Sequence, residues 1–206
     1  MKRMPERTQR EDDSSLDMFA ETCSAGTRSL RRLDALMEWV RTILLALLTT
    51  LLLVSFVIQR NEVVGQSMSP NLQPNDQLWV EKVTKLWNGI GRGSVITLHA
   101  SDLSVDLNGD FVKRVIGLPG EHVEIRADGV YIDGGKLRED YLPQGLQTKA
   151  LGSFADVTLK PGQYFVMGDN RERSFDSRSF GPVPENAIIG RVWFRIAPFD
   201  RFGFVP

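Results

Sequence analysis

The chain has 206 residues, enough for one globular domain of ordinary size plus extensions. Its formal net charge of -1 provides no basic surface, so nucleic acid is excluded as a partner. A single cysteine, Cys23, and two histidines, His99 and His122, rule out a disulfide framework or thiolate metal site in the globular part and are too few for a zinc cluster. No metal or organic cofactor is expected.

Residues 1–38 are polar and charged with weak periodicity, and they read as a largely disordered tail with a short helix over 27–37. Thr42 to Ile58 carries no charge, and as a helix it would span about 26 Å, close to a bilayer's hydrocarbon core. With Trp39 and the flanking Arg41 and Arg60 as interface residues, 39–60 is predicted as one transmembrane helix. A cleaved leader fits less well, because the run starts late and no small-x-small site follows it. Arg28, Arg31, Arg32 and Arg41 precede the run and only Arg60 follows closely, which puts the N-terminus in the cytoplasm and 61–206 outside. Cys23 then lies on the reducing side.

Beyond the run the pattern changes to short β-type stretches separated by turn residues. Strands are expected at 77–82, 94–99, 110–116, 122–125, 130–132, 163–167 and 187–195, with Asn108-Gly109 as a hairpin turn and a hairpin-rich insertion at about 118–162. Long helical periodicity is absent. The fold class is mainly β, a folded sheet closing into barrel-like elements.

Three stretches carry chemistry. In Gly65-Gln66-Ser67-Met68-Ser69-Pro70, glycine allows another backbone or a substrate close, and proline stiffens the exit, so one hydroxyl, Ser67, is presented. Such a hydroxyl needs a base. Neither His99 nor His122 sits in a motif-like setting, so a Ser-His-Asp triad is disfavoured. Lysine serves if burial keeps it neutral, and Lys113, between Val112 and Val115 in an apolar strand, is the candidate; Arg114 must point to the opposite face. The third stretch, Gly168 to Arg178, is dense in turn formers and opposite charges. Alone it reads as a solvated loop. A functional version would use Arg114, Asp169, Asp176 and Arg178 as an ion-pair frame, with Ser174 hydrogen-bonded to the Lys113 amine.

The three stretches, in this order and spacing, resemble the type I signal peptidases, membrane-anchored Ser-Lys proteases that remove signal peptides from exported proteins. The match covers the apolar run and nearly all of 63–195. It implies Ser67 as nucleophile, Lys113 as general base, Ser174 as the lysine-orienting hydroxyl and the Ser67 backbone N–H as an oxyanion donor. Some members carry a serine as second donor where this chain has Gly65, and Glu172-Arg173 stand where the family often has Asp-Asn. The strands entering Ser67 and Lys113 would hold an extended peptide, with Val63, Val64, Met68, Leu72, Phe111 and Val112 lining shallow apolar pockets. The resemblance further implies small residues, typically alanine, at the first and third positions before the cut. Expected partners are signal-peptide-bearing precursors, the lipid bilayer and the export translocon, at the plasma membrane. Two other readings compete. A self-cleaving repressor-type protease shares the Ser-Lys pair but brings a DNA-binding domain. A catalytically dead, membrane-tethered peptide-binding domain would not need both Ser67 and Lys113.

Overall fold

The computed structural model describes residues 34, 36–52, 54, 55, 57–86, 89–103, 109–146, 148, 149 and 153–205. The tail expected at 1–33, Cys23 and Asn108 lie outside them. The chain divides into two compact units, Met1–Leu53 and Val54–Pro206.

In the first unit, residues 36–52 are helical and exposed along their length, Leu44, Leu45, Leu47, Leu48 and Leu51 included. Among the described residues no helix is both long and apolar enough to cross a membrane. The expected span also runs too far: Ile58–Glu62 is a strand, not the end of a helix. Its run of polar residues suits a sheet edge, with Arg60 donating to Gln77 Oε1 at 2.6 Å on the neighbouring strand.

The second unit is built on an eight-stranded antiparallel sheet. Its members are β1 (Ile58–Glu62), β2 (Gln77–Glu81), β3 (Val95–His99), β4 (Asp110–Gly117), β9 (Gln163–Met167), β10 (Val183–Pro184), β11 (Ile188–Ala197) and β12 (Gly203–Phe204). The order is β1-β2-β11-β3-β4-β9-β10, with β12 pairing β11. A smaller sheet, β7-β6-β5-β8, comprises β5 (His122–Arg126), β6 (Gly129–Ile132), β7 (Gly135–Lys136) and β8 (Asp156–Thr158).

Residue pattern explains the layers. In β2, Leu78 and Val80 are buried while Trp79 between them is exposed, the period-2 alternation of a half-covered strand. In β3, Val95 to Leu98 are all buried, so this central strand is covered on both faces. Three apolar clusters result. One gathers Ile96, Leu98, Val115, Val166 and Ile188. A second gathers Val63, Met68, Leu72, Leu78, Val80, Val95, Val112 and Val192. The third joins Ile116, Phe165 and Met167 of the large sheet to Val123, Ile125 and Val130 of the small one. β4 contributes to all three and so lies where the sheets meet.

Candidate active site

Ser67 sits in the link between β1 and β2. Gly65 has φ +91°, a conformation that L side chains rarely adopt, and open space lies beside it. Its need is thus conformational; the close neighbour expected from the sequence is absent among the described residues. After it the chain closes one tight turn, with Leu72 N–H donating to the Met68 carbonyl at 2.9 Å. Met68 and Leu72 fix that turn in the core, leaving Ser67 partly exposed.

Lys113 reaches this hydroxyl from β4. Its Nζ lies 2.9 Å from Ser67 Oγ and 3.2 Å from the Val112 carbonyl, and its side chain lies over the Phe111 ring, 5.4 Å from the centroid. The residue is 3 % exposed. Burial lowers its pKa from 10.5 to about 8; Asp176 and Asp169 oppose the shift, and Arg178 adds to it. About a tenth of the amine is therefore neutral at pH 7, against well under a thousandth for an ordinary lysine. The histidines are elsewhere engaged: His99 Nδ1 pairs with Asp110 Oδ1 at 2.9 Å, and His122 contacts Thr158 and Asp156.

The loop after β9 grips the nucleophile segment. Asn170 N–H donates to the Ser67 carbonyl at 3.0 Å, and the Asn170 side chain donates to the Gln66 carbonyl at 3.1 Å. Gly168 passes so close that a Cβ there would lie 2.3 Å from the Ser67 carbonyl oxygen and 2.2 Å from Ser174 Oγ. The Ser67 N–H donates to no described residue, so it is available to an oxyanion.

Buried ion pairs hold the loop. Arg114 clamps Asp169 with two bonds, 2.8 and 2.7 Å, and stacks 4.1 Å over Tyr141. Arg178 clamps Asp176 with two bonds of 2.8 Å. Asp176 also accepts from Gly168 N–H at 3.1 Å and caps the helical turn Ser177–Phe180. The four charges expected to form the frame thus form two pairs, Arg114 with Asp169 and Arg178 with Asp176.

Three expectations need correction. The Ser174 hydroxyl is buried without a hydrogen-bond partner, so the expected bond to Lys113 is not made here. Leu72 has no exposed surface and Met68 almost none; both are core, and neither forms an accessible pocket wall. Val64 is 90 % exposed, whereas Val63 before it is buried, so Val64 is open surface and no enclosed wall. Val112 is buried and Phe111 half-buried beside Lys113.

Some site residues escaped the sequence reading. Arg171 is fully buried against Glu139, with Nη2–Oε1 at 2.5 Å, and donates to the Gly168 carbonyl at 3.0 Å. Asn71 donates to both Asp169 Oδ2 and the Tyr141 carbonyl at 2.8 Å. Gly168 directly after an apolar strand was the one available signal of a close backbone approach. Arg171 gave none, because its partner is 32 residues upstream in the other sheet's connections.

Residues 36–197 match the family model described as Signal peptidase, peptidase S26. Signal peptidase I of Bacillus licheniformis is 34% identical over 181 residues, 84% of this chain and 95% of that one. Signal peptidase IB of Staphylococcus aureus strain MRSA252 is 34% identical over 183 residues, 82% of this chain and 93% of that one. A crystal structure of a signal peptidase I from Enterococcus faecalis V583 is 36% identical, covering 49% of this chain and 94% of that chain, with a TM-score of 0.39.

Proposed function

This chain belongs to the signal peptidases of the peptidase S26 family, and we propose that Ser67 and Lys113 are the pair with which it performs the family reaction. It is a serine peptidase that removes signal peptides from exported precursor proteins. The observation that carries the residue assignment is the 2.9 Å approach of a buried, pKa-lowered amine to a partly exposed hydroxyl.

The neutral Lys113 amine takes the proton of Ser67 Oγ as the oxygen attacks the scissile carbonyl. The Ser67 N–H receives the developing oxyanion. Collapse breaks the C–N bond, and the Lys113 ammonium returns its proton to the leaving amine. Water then attacks the ester; Lys113 takes a proton from it and gives it to Ser67 Oγ as the signal peptide leaves. Ser174 is a positioning residue whose free hydroxyl is able to turn to the amine once substrate excludes water. The substrate lies extended between the segment after β1 and the first half of β4. β9 pairs with β4 only from Arg114 onward, which leaves that half open to strand addition. Val63 and Val112 bound the site for small side chains.

The membrane is the second partner in this reading. The helix over 36–52 is exposed and carries no charge from Thr42 onward, and the hydroxyls of Thr42, Thr49 and Thr50 bond to carbonyls four residues back, so they demand nothing of the surroundings. Such a helix suits a bilayer anchor ending before β1, with the tail cytoplasmic, the β unit outside the plasma membrane and the export translocon nearby.

The test is cleavage of a signal-peptide-bearing precursor by Ser67→Ala and Lys113→Ala. Both should lose cleavage while retaining native far-UV circular dichroism. Cleavage by either variant at the native rate would refute the assignment.

A further inference from the structure

The two segments flanking the peptide slot run in the same direction and are tied at both ends. At one end Lys113 Nζ meets Ser67 Oγ at 2.9 Å; at the other, the Asn61 amide donates to Asp110 Oδ2 at 3.4 Å. The ends differ in chemistry. Near the hydroxyl the lining is apolar, from the cluster holding Val63 and Val112. At the far end stands an asparagine.

Asn61 pairs with Leu78 across β1 and β2, and Leu78 is wholly buried in that same cluster. Strand alternation therefore puts Asn61 on the core-facing side of β1, where Val63 also points. Its amide nitrogen is committed to Asp110, and reversing the amide would set its oxygen against a carboxylate. Asn61 Oδ1 is left buried with no hydrogen-bond partner. Asp110 Oδ1, beside it, is engaged by His99. A buried acceptor without a donor is rare in folded proteins, and its neighbour Asp110 stands in the half of β4 that β9 leaves unpaired, where a ligand would bring the donor.

Resting on the peptidase reading above, we infer that Asn61 is a specificity residue: it accepts a hydrogen bond from the third residue before the cut and favours a small hydroxyl side chain, threonine or serine, over an apolar one of equal size. The position follows from register. Asp110 lies toward the start of β4 from Lys113, and an extended peptide beside that strand steps about 7 Å between successive side chains on one face. The first residue before the cut lies at the Ser67 end. The next side chain on the same face belongs to the third, at the Asn61 end.

Threonine and valine have nearly the same shape, so they isolate the hydrogen bond. The full chain in detergent micelles is given precursors that differ only in threonine or valine at the third position, with an alanine precursor as control. The kcat/KM ratio, threonine over valine, should be about ten for the native chain, the worth of one good hydrogen bond in a shielded site. Asn61→Leu should bring it to one or below. Each ratio is taken within one preparation, so any loss of active enzyme cancels. A native ratio of one or less, or an Asn61→Leu ratio equal to the native one, overturns this inference alone when the alanine precursor is cut. If the native chain cuts none of the three, the peptidase reading falls and this falls with it.

Discussion

A lysine buried to 3 % exposure with a pKa near 8 carries a cost and a function at once. The base must be neutral, so kcat/KM should fall as pH drops through about 8, tenfold per unit below it, in a steady-state profile on a short peptide. The same shift sets stability. The unfolded chain holds the proton up to about 10.5 and the folded chain only to about 8, so the buried charge penalises folding fully below pH 8 and not at all above 10.5. Lys113→Met should therefore stabilise the fold at pH 6 by about 3 kcal/mol, with the gain fading between pH 8 and 10.5 in urea melts. Sequence pointed to Ser67 and Lys113 only when the three stretches were read together, since alone the serine fits a strand-end turn and the lysine a solvated strand. It did not point to Asn61, whose oddness appears only once β1 is known to be a strand with an inner face.

At the scale of elements, the loop from Gly168 to Arg178 is a clamp. Asn170 holds the nucleophile backbone, Asp176 holds Gly168, and Arg171 ties the loop to Glu139. Gly168→Ala should push the Ser67 carbonyl out of place and lower kcat/KM on the same peptide by about a hundredfold or more, since displacements near 1 Å have that effect on positioned groups. Arg171→Ala would strand Glu139 in a largely buried site and should cost about 3–5 kcal/mol in denaturant unfolding. Alternation and turn residues placed most strands of the large sheet within a residue or two, as at Gln77–Glu81 and Gln163–Met167. Three were missed: β10 and β12, two residues each and too short to show alternation, and β1, whose polar residues next to a long apolar run looked like a membrane flank until paired with β2. Pairings such as Arg171 with Glu139 depend on how the two sheets meet, which local pattern does not encode.

Across the molecule as a whole, exposed apolar side chains occur in the β unit as well as in the helix over 36–52. That unit carries an aromatic group of its own on β2, β11, β12 and the turn before β12. Trp79, Trp193, Phe199, Phe202 and Phe204 are all exposed, and Phe194 links several of them, lying 4.6 Å from Phe202 and 5.0 Å from Phe204 between ring centroids. Clustered rings of this kind are costly in water and suited to a headgroup region. If the patch docks on lipid, it matters only for substrates presented from a bilayer. Phe199→Ser, Phe202→Ser and Phe204→Ser combined should then slow cleavage of a vesicle-embedded precursor about tenfold, the loss of roughly one buried phenylalanine's worth of partitioning. Cleavage of a short soluble peptide should stay within twofold of native, because none of the three rings touches Ser67 or Lys113. Equal slowing on both substrates would instead mean that the triple change deforms β11, whose Arg195 holds the Asn71 carbonyl at 3.0 Å, and through Asn71 the site itself.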